Sequence, residues 1–364
     1  MVWKNLNKRI SIKFIFIQII ITILFIICID VIANLFIERI GHKDFRLQRP
    51  EPYVNAEYFS KDFINEAFSQ PGKWLLEEEY GGVKPSNYKG KWINVKNNRR
   101  VTINKPRDYL GKIYLFGGST VYNGEVPDNL TIASQLASLG ANEYLYEVVN
   151  MGATSIHSAQ QVGRLKSEIK LNKRDFVIFY DGVNDVLQRI IYENQEGYMI
   201  GQPKKESFWI KQLRSKSKYS SILFIFYSKI IENTKETPSI LIKTSVDNYV
   251  NTLVEVNKYV KSQGASFYHF LQPTLFTKKN LNKYEKLLIE KGHPFVPVQF
   301  IQDFNRAYPL ISNKLDFVEF SYSLVGVFNN LEKSPYLDFC HVTHIGNKII
   351  AENIWNNINN GLKF

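Results

Sequence analysis

Cysteine is scarce in this 364-residue chain, which has only Cys28 and Cys340. One sits inside an apolar N-terminal run and the other near the C-terminus, so no disulfide is expected between them. The count neither requires nor excludes an oxidising compartment. Long runs of one charge sign are also missing. The 46 Lys and Arg against 34 Asp and Glu give a formal net charge of +12. The basic residues are scattered, however, and no nucleic-acid reader motif accompanies them. A nucleic-acid partner is therefore set aside in favour of a solvated basic surface. Internal repeats and low-complexity tracts are absent. Aromatics are not: 25 Phe and 21 Tyr exclude general disorder, which needs few of them. The length allows one large domain or two small ones, with ample core.

Residues 14–37 form a nearly unbroken apolar stretch, interrupted by Gln18, Thr22, Asp30 and Asn34. As a helix it would extend roughly 36 Å, enough for a hydrocarbon core of about 30 Å. A cleaved signal peptide would have a shorter apolar core and a small-residue exit, whereas this stretch leaves through Asn34-Leu35-Phe36-Ile37-Glu38-Arg39. The expectation is a single transmembrane helix acting as a signal anchor. Lys4, Lys8, Arg9 and Lys13 precede it, and Arg39, Lys43, Arg46 and Arg49 follow it. Equal counts leave the positive-inside rule nearly silent. The short arm and free amine favour the N-terminus inside, hence a single-pass membrane protein with its large domain extracytoplasmic, periplasmic or extracellular.

The organisation expected from this reading is a short arm over 1–13, the transmembrane helix over 14–37, a stalk and small cap over 38–105, and the main domain over 106–364. In the main domain short apolar runs alternate with amphipathic stretches. Strands are expected at Ile113–Phe116, Tyr146–Asn150, Phe176–Tyr180 and Ser266–Leu271, and helices near 130–139, 156–171, 246–262 and 346–359. This alternation predicts an α/β fold, a three-layer α/β/α sandwich around a parallel sheet. A helical insertion over about 190–245 interrupts it. That insertion carries Lys204, Lys205, Lys211, Arg214, Lys216 and Lys218 and an apolar run, Ile222–Tyr227. It reads as a helix with its apolar face packed inward, or as a lid or membrane-facing flap.

Sites in such sheets form at the carboxyl ends of strands, which would gather Ser119, Gly152 and Asn184. Ser119 follows two glycines in Phe116-Gly-Gly-Ser-Thr120, where little hinders access to its hydroxyl. Gly152, in Asn150-Met-Gly-Ala153, can offer a backbone N–H. Asn184, in Asp181-Gly-Val-Asn-Asp185, can donate from its side-chain amide. Asp338 and His341, in Asp338-Phe-Cys-His341, are spaced to face one way on a helical turn. Gly346 and a helix follow. Each piece alone is weak, but in this order on these elements they are specific.

Together they resemble the SGNH (GDSL-like) hydrolase family, whose four blocks supply a serine, a glycine, an asparagine and a histidine. The match runs through Ser119, Gly152, Asn184 and His341, with Asp338 in the D-x-x-H position, over roughly 110–190 and 335–360. It implies a flavodoxin-like sheet and a Ser-His-Asp acyl-enzyme mechanism. In that mechanism Ser119 is the nucleophile, His341 the base and Asp338 its orienting acid. Ser119, Gly152 and Asn184 form the oxyanion hole. The first block departs from the usual Gly-Asp-Ser, with Gly118 in place of Asp. This points to a membrane-anchored branch similar to proteins that modify acyl groups on surface polysaccharides. The G-x-S-x-G elbow is excluded because Val121 stands where Gly is required.

The function implied is a membrane-tethered serine esterase acting on small acyl esters, O-acetyl groups first, of an envelope polysaccharide. An O-acyltransferase using the same triad and a non-catalytic glycan-binding protein are the alternatives, with lipase activity behind them. The expected partners are an acylated glycan or other ester substrate and the membrane. No cofactor or metal is expected. Asp338, Cys340, His341 and His344 are compact enough to suggest a metal, but no second ligand group at zinc-site spacing accompanies them. His157 is open to a substrate or a surface role. Asn129-Leu-Thr131 matches a glycosylation acceptor and reads better as a helix start.

Overall fold

A computed structural model describes residues 14–22, 24, 25, 28, 51–69, 74–77, 79, 81–140, 146–186, 238–291 and 298–362. The chain divides into two compact units, Met1–Gln48 with Lys205–Lys235, and Arg49–Lys204 with Glu236–Phe364. In the first unit, residues 14–22, 24, 25 and 28 are helical and exposed. The expected transmembrane helix over 14–37 is not found: among the described residues no helix is long and apolar enough to cross a membrane. The rest of that stretch lies outside the described residues, as does the insertion over 190–245 up to 237.

The second unit opens with small elements. Helix α1 is Lys61–Ser69. Strands β1 (Trp74–Glu77) and β2 (Gly82–Pro85) form an antiparallel pair. Strands β3 (Tyr88–Lys89), β4 (Asn94–Lys96) and β5 (Arg99–Arg100) form an antiparallel meander. Between β4 and β5 the two linking residues, Asn97 and Asn98, both have positive φ, 52° and 57°. This is the two-residue turn whose twist matches paired strands, and Asn tolerates it better than most side chains. The Glu66 carboxylate accepts the N–H groups of Lys91, Trp92 and Ile93 at 3.1, 2.9 and 2.7 Å, joining α1 to the meander.

The main sheet has five parallel strands: β6 (Gly111–Gly117), β7 (Tyr146–Asn150), β8 (Phe176–Asp181), β9 (Ser266–Leu271) and β10 (Ser321–Ser323). Their order is β10-β9-β8-β6-β7, the flavodoxin-like arrangement. Four of the five strands were anticipated within a residue or two. Strand β8, Phe-Val-Ile-Phe-Tyr-Asp, is buried at every position, as a central parallel strand covered on both faces must be.

The helices follow from the connections. Helix α3 (Ile132–Gly140) links β6 to β7 and packs on β7 and on the last helix, α8 (His344–Leu362). Helix α4 (Ser158–Glu168) carries the chain back past β6 to β8, so right-handed crossovers place it on the opposite face. There it meets α5 (Ser239–Ser262), which packs on β9. Helix α5 starts at Ser239, within the expected insertion. Helix α6 (Lys283–Lys291) and helix α7 (Val298–Leu315) complete the chain between β9 and β10, with α7 packed on α5. One continuous apolar core runs through these layers, with Leu115, Phe116, Val177, Ile178 and Phe179 at its centre. Truncating Phe116 or Phe179 to Ala would cost about 3–5 kcal/mol. Between β6 and β8 the connections leave in opposite directions, the switch point at which such sheets form their sites.

Candidate active site

Strand β6 ends in two glycines because neither position has room for a side chain. A Cβ on Gly117 would lie 2.3 Å from Val121 Cγ2 and 2.5 Å from the Tyr180 carbonyl oxygen. One on Gly118 would lie 2.3 Å from Asn184 Nδ2. Ser119 then starts a single helical turn, α2 (Ser119–Tyr122), with Gly118 extended before it. At this position a backbone N–H has no intrahelical acceptor. The turn ends at Asn123, left-handed with φ 55°. Its side-chain Nδ2 donates to the Thr120 carbonyl at 2.7 Å and its side-chain Oδ1 accepts Ile132 N–H at 2.8 Å, fixing the turn to α3.

The C-terminal block reaches Ser119 from the far end of the chain. Asp338 and His341 do not lie on a helix, contrary to the sequence reading. They lie on a turn that the Asp338 carboxylate itself organises. Its Oδ1 accepts the N–H of Cys340 at 2.9 Å and of His341 at 2.7 Å, and its Oδ2 bonds His341 Nδ1 at 2.7 Å. A bridge between Tyr336 and Val342 closes the turn. A carboxylate that accepts local backbone N–H groups competes with the helix, which is why the three-residue spacing is not helical here. On the other side of the ring, His341 Nε2 meets Ser119 Oγ at 2.8 Å. Aspartate, imidazole and serine hydroxyl are thus one hydrogen-bonded chain, and the His341 side chain keeps 16% exposure.

Burial alone would lower the His341 pKa, but the Asp338 carboxylate against Nδ1 and Glu125 beyond Nε2 outweigh it, and the value stands well above the usual one for histidine. The Cys340 thiol, 3.7 Å from Nδ1, is pushed up to about 11 by burial. Asp338, Cys340 and His341 offer donor atoms within 4.8 Å of one another, but the Asp338 and His341 atoms are already bonded to each other. His344 is the first residue of α8, and its Nδ1 pairs with Tyr58 Oη at 3.1 Å. Burial lowers its pKa.

The three expected oxyanion donors differ. Gly152 N–H donates to Asn150 Oδ1 at 2.9 Å, and a Cβ at Gly152 would lie 2.2 Å from Tyr122 N. Gly152 therefore brings the β7 loop into direct backbone contact with α2. Asn184 Nδ2 donates one hydrogen to the Ile156 carbonyl at 2.8 Å and sits against Gly118, leaving a second N–H beside Ser119. His157 is buried and caps the start of α4, with its N–H on Gln160 Oε1 at 3.1 Å, which corrects the surface alternative. Thr131 is also buried and accepts Ser134 N–H at 3.2 Å, as a helix start would.

No family model matches the chain, and no curated protein does. Solved structures do resemble it. A GDSL-like lipase from Parabacteroides merdae aligns at 16% identity and TM-score 0.40, over 72% of this chain and 100% of that one. An acetylxylan esterase from Geobacillus stearothermophilus aligns at 14% identity and TM-score 0.37, over 71% and 96%. A further acetyl xylan esterase gives 14% identity and 0.35, over 68% and 99%.

Sequence reasoning missed several residues that hold the site. Arg100, fully buried, pairs with Asp128 at 2.6 Å and donates to the Asn123 and Val126 carbonyls at 3.0 and 2.8 Å. Arg164 donates to the Met151 carbonyl at 2.8 Å and the Asn98 carbonyl at 3.2 Å. Asp185 accepts the N–H and hydroxyl of Ser158, joining the loop after β8 to α4. Glu125 was missed too, with Oε1 3.9 Å from His341 Nε2. Charged side chains this buried are nearly always paired, but their partners lie far along the chain and give no local signal.

Proposed function

We propose that this chain is a serine esterase that removes small acyl groups, O-acetyl first, from an envelope polysaccharide. The observation that carries the reading is the continuous chain Asp338–His341–Ser119 at the carboxyl ends of β6 and β8. Ser119 Oγ attacks the ester carbonyl while His341 Nε2 takes its proton. His341 then returns the proton to the leaving alcohol, and water repeats the sequence to release the acid. Asp338 holds the imidazole with Nδ1 protonated and stabilises its cationic form. The second N–H of Asn184 and the backbone N–H of Ser119 receive the negative charge of the tetrahedral intermediate. Gly152 N–H lies on the same rim and can join them by leaving Asn150.

The polysaccharide substrate rests on the resemblance through Ser119, Gly152, Asn184 and His341. The tether rests on the apolar stretch 14–37, whose described side chains are exposed, Phe14 by 62% and Phe25 by 64%. With the N-terminus inside, as the short arm and free amine favour, the second unit would lie outside the cytoplasm. An O-acyltransferase would share every step up to the acyl-enzyme. The test is acetate release from an O-acetylated glycan by the full chain beside Ser119→Ala. Release lost in the variant supports the esterase, whereas transfer to an acceptor glycan without free acetate replaces it by the transferase. Sedimentation of the full chain with membranes, lost on deletion of 1–37, supports the tether.

A further inference from the structure

Glu125 stands beside the reacting groups with no hydrogen bond to its carboxylate among the described residues. Its side chain is 8% exposed, and Oε2 is buried with no hydrogen-bond partner among those residues. Oε1 lies 3.9 Å from His341 Nε2, beyond hydrogen-bond range. Leaving a buried carboxylate oxygen unsatisfied is costly, and the backbone that carries this one is held by other groups. Tyr53 Oη donates to the Glu125 carbonyl at 2.8 Å, and the Arg100 guanidinium grips the carbonyls of Asn123 and Val126 around it. The side chain is therefore not needed to anchor its own loop.

On the esterase reading, the leaving alcohol oxygen must come within hydrogen-bond reach of His341 Nε2 to receive its proton. An atom there has Glu125 as its next neighbour. A carboxylate only accepts hydrogen bonds, so what it meets must donate. An ammonium group would face an imidazole that turns positive during the step, at close range and low dielectric. A neutral hydroxyl meets no such penalty. We propose that Glu125 reads a second hydroxyl on the alcohol half of the substrate, adjacent to the ester oxygen, so that the enzyme selects esters of vicinal diols such as sugar rings.

The test compares two esters that differ at that hydroxyl alone, 2-hydroxyethyl acetate and 2-methoxyethyl acetate. In the full chain kcat/KM is expected to favour the hydroxyl compound by about tenfold or more. In Glu125→Gln, which keeps the shape and removes the charge, the ratio falls to within about threefold of one. A wild-type ratio near one overturns the proposal. So does a ratio preserved in Glu125→Gln while both rates fall together, which would make the carboxylate a partner of His341 instead. If neither ester is hydrolysed, the esterase reading fails and titration with methyl glucoside decides the hydroxyl site. A Kd at least about tenfold weaker in Glu125→Gln upholds it, and an equal Kd, or no binding to the wild type, overturns it.

Discussion

Ser119, His341 and Asp338 form one Ser–His–Asp chain at the carboxyl edge of the sheet, and Ser321, His269 and Asp181 form another inside it. In the second, His269 Nδ1 meets Ser321 Oγ at 2.7 Å and Nε2 lies 3.2 Å from Asp181 Oδ1. The residue types and distances are nearly the same; the surroundings are not. The His269 side chain is fully buried. Tyr249 wedges its hydroxyl between Asp181 and His269, bonding both, so no lone pair faces a place where a substrate could sit. His341 keeps 16% exposure, and at Nε2 it has Ser119 within hydrogen-bond range and only the more distant Glu125 beyond it. The lesson is that a Ser–His–Asp contact is a stabilising polar network by default. Access and nearby donors turn one into a candidate site.

The largest effect should separate the two serines. Ser119→Ala is expected to lower kcat/KM for p-nitrophenyl acetate by at least about 10³-fold, while Ser321→Ala stays within about twofold of wild type. Similar losses in both would erase the distinction. The aspartates come next. Asp338→Asn replaces the charged acceptor on Nδ1 with a neutral amide and loosens the turn that the carboxylate organises, so it should cost about 10³–10⁴ in kcat beyond a modest loss of thermal stability. Asp181→Asn should do the reverse, losing about 1–3 kcal/mol of stability through the disrupted Tyr249–His269 contacts. Asn184→Ala should follow, at about 10²-fold in kcat. A change in KM alone would make Asn184 a brace for the Ile156 loop and not an oxyanion donor.

The same contrast governs what could be read in advance. The sheet was legible because its strands are apolar runs ended by Gly, Asp or Pro, and Ser119, Asn184 and His341 sit just beyond such ends or on the final block. Strand β10, Ser-Tyr-Ser, has no apolar run to announce it; register with β9 makes it a strand. The region 38–105 reads as stalk and small cap because its elements, described from 51 on, are too short for periodicity. Its contribution to the site comes through single side chains: Tyr53, whose partner is 72 positions away, Tyr58, whose partner is 286 away, and Arg100, whose partners are 22 to 28 away. Such contacts leave no trace in local sequence. Glu125 was invisible for the same reason: within Asn-Gly-Glu-Val-Pro it reads as a loop acid on the surface, and only the fold turns it inward.

The smallest expected effect is a displacement along the pH axis, and it distinguishes the two chains without a change in rate at the optimum. His341 must be neutral to accept the Ser119 proton, and its pKa in the folded protein stands above the ordinary histidine value. The acid limb of kcat/KM should therefore have its midpoint above about 6.5, with activity rising as pH increases through it. Stability from the same group has the opposite sign. A raised pKa favours the folded state fully below the unfolded value, and that contribution fades as pH climbs through the folded one. Removing the charge of Asp338 should move the acid limb down in its residual activity, because burial then acts with less opposition. Asp181→Asn should leave the limb in place, since Asp181 faces His269 and not His341. An acid limb that follows Asp181, or one below about 6 in the wild type, would mean that the wrong histidine has been placed at the reacting serine.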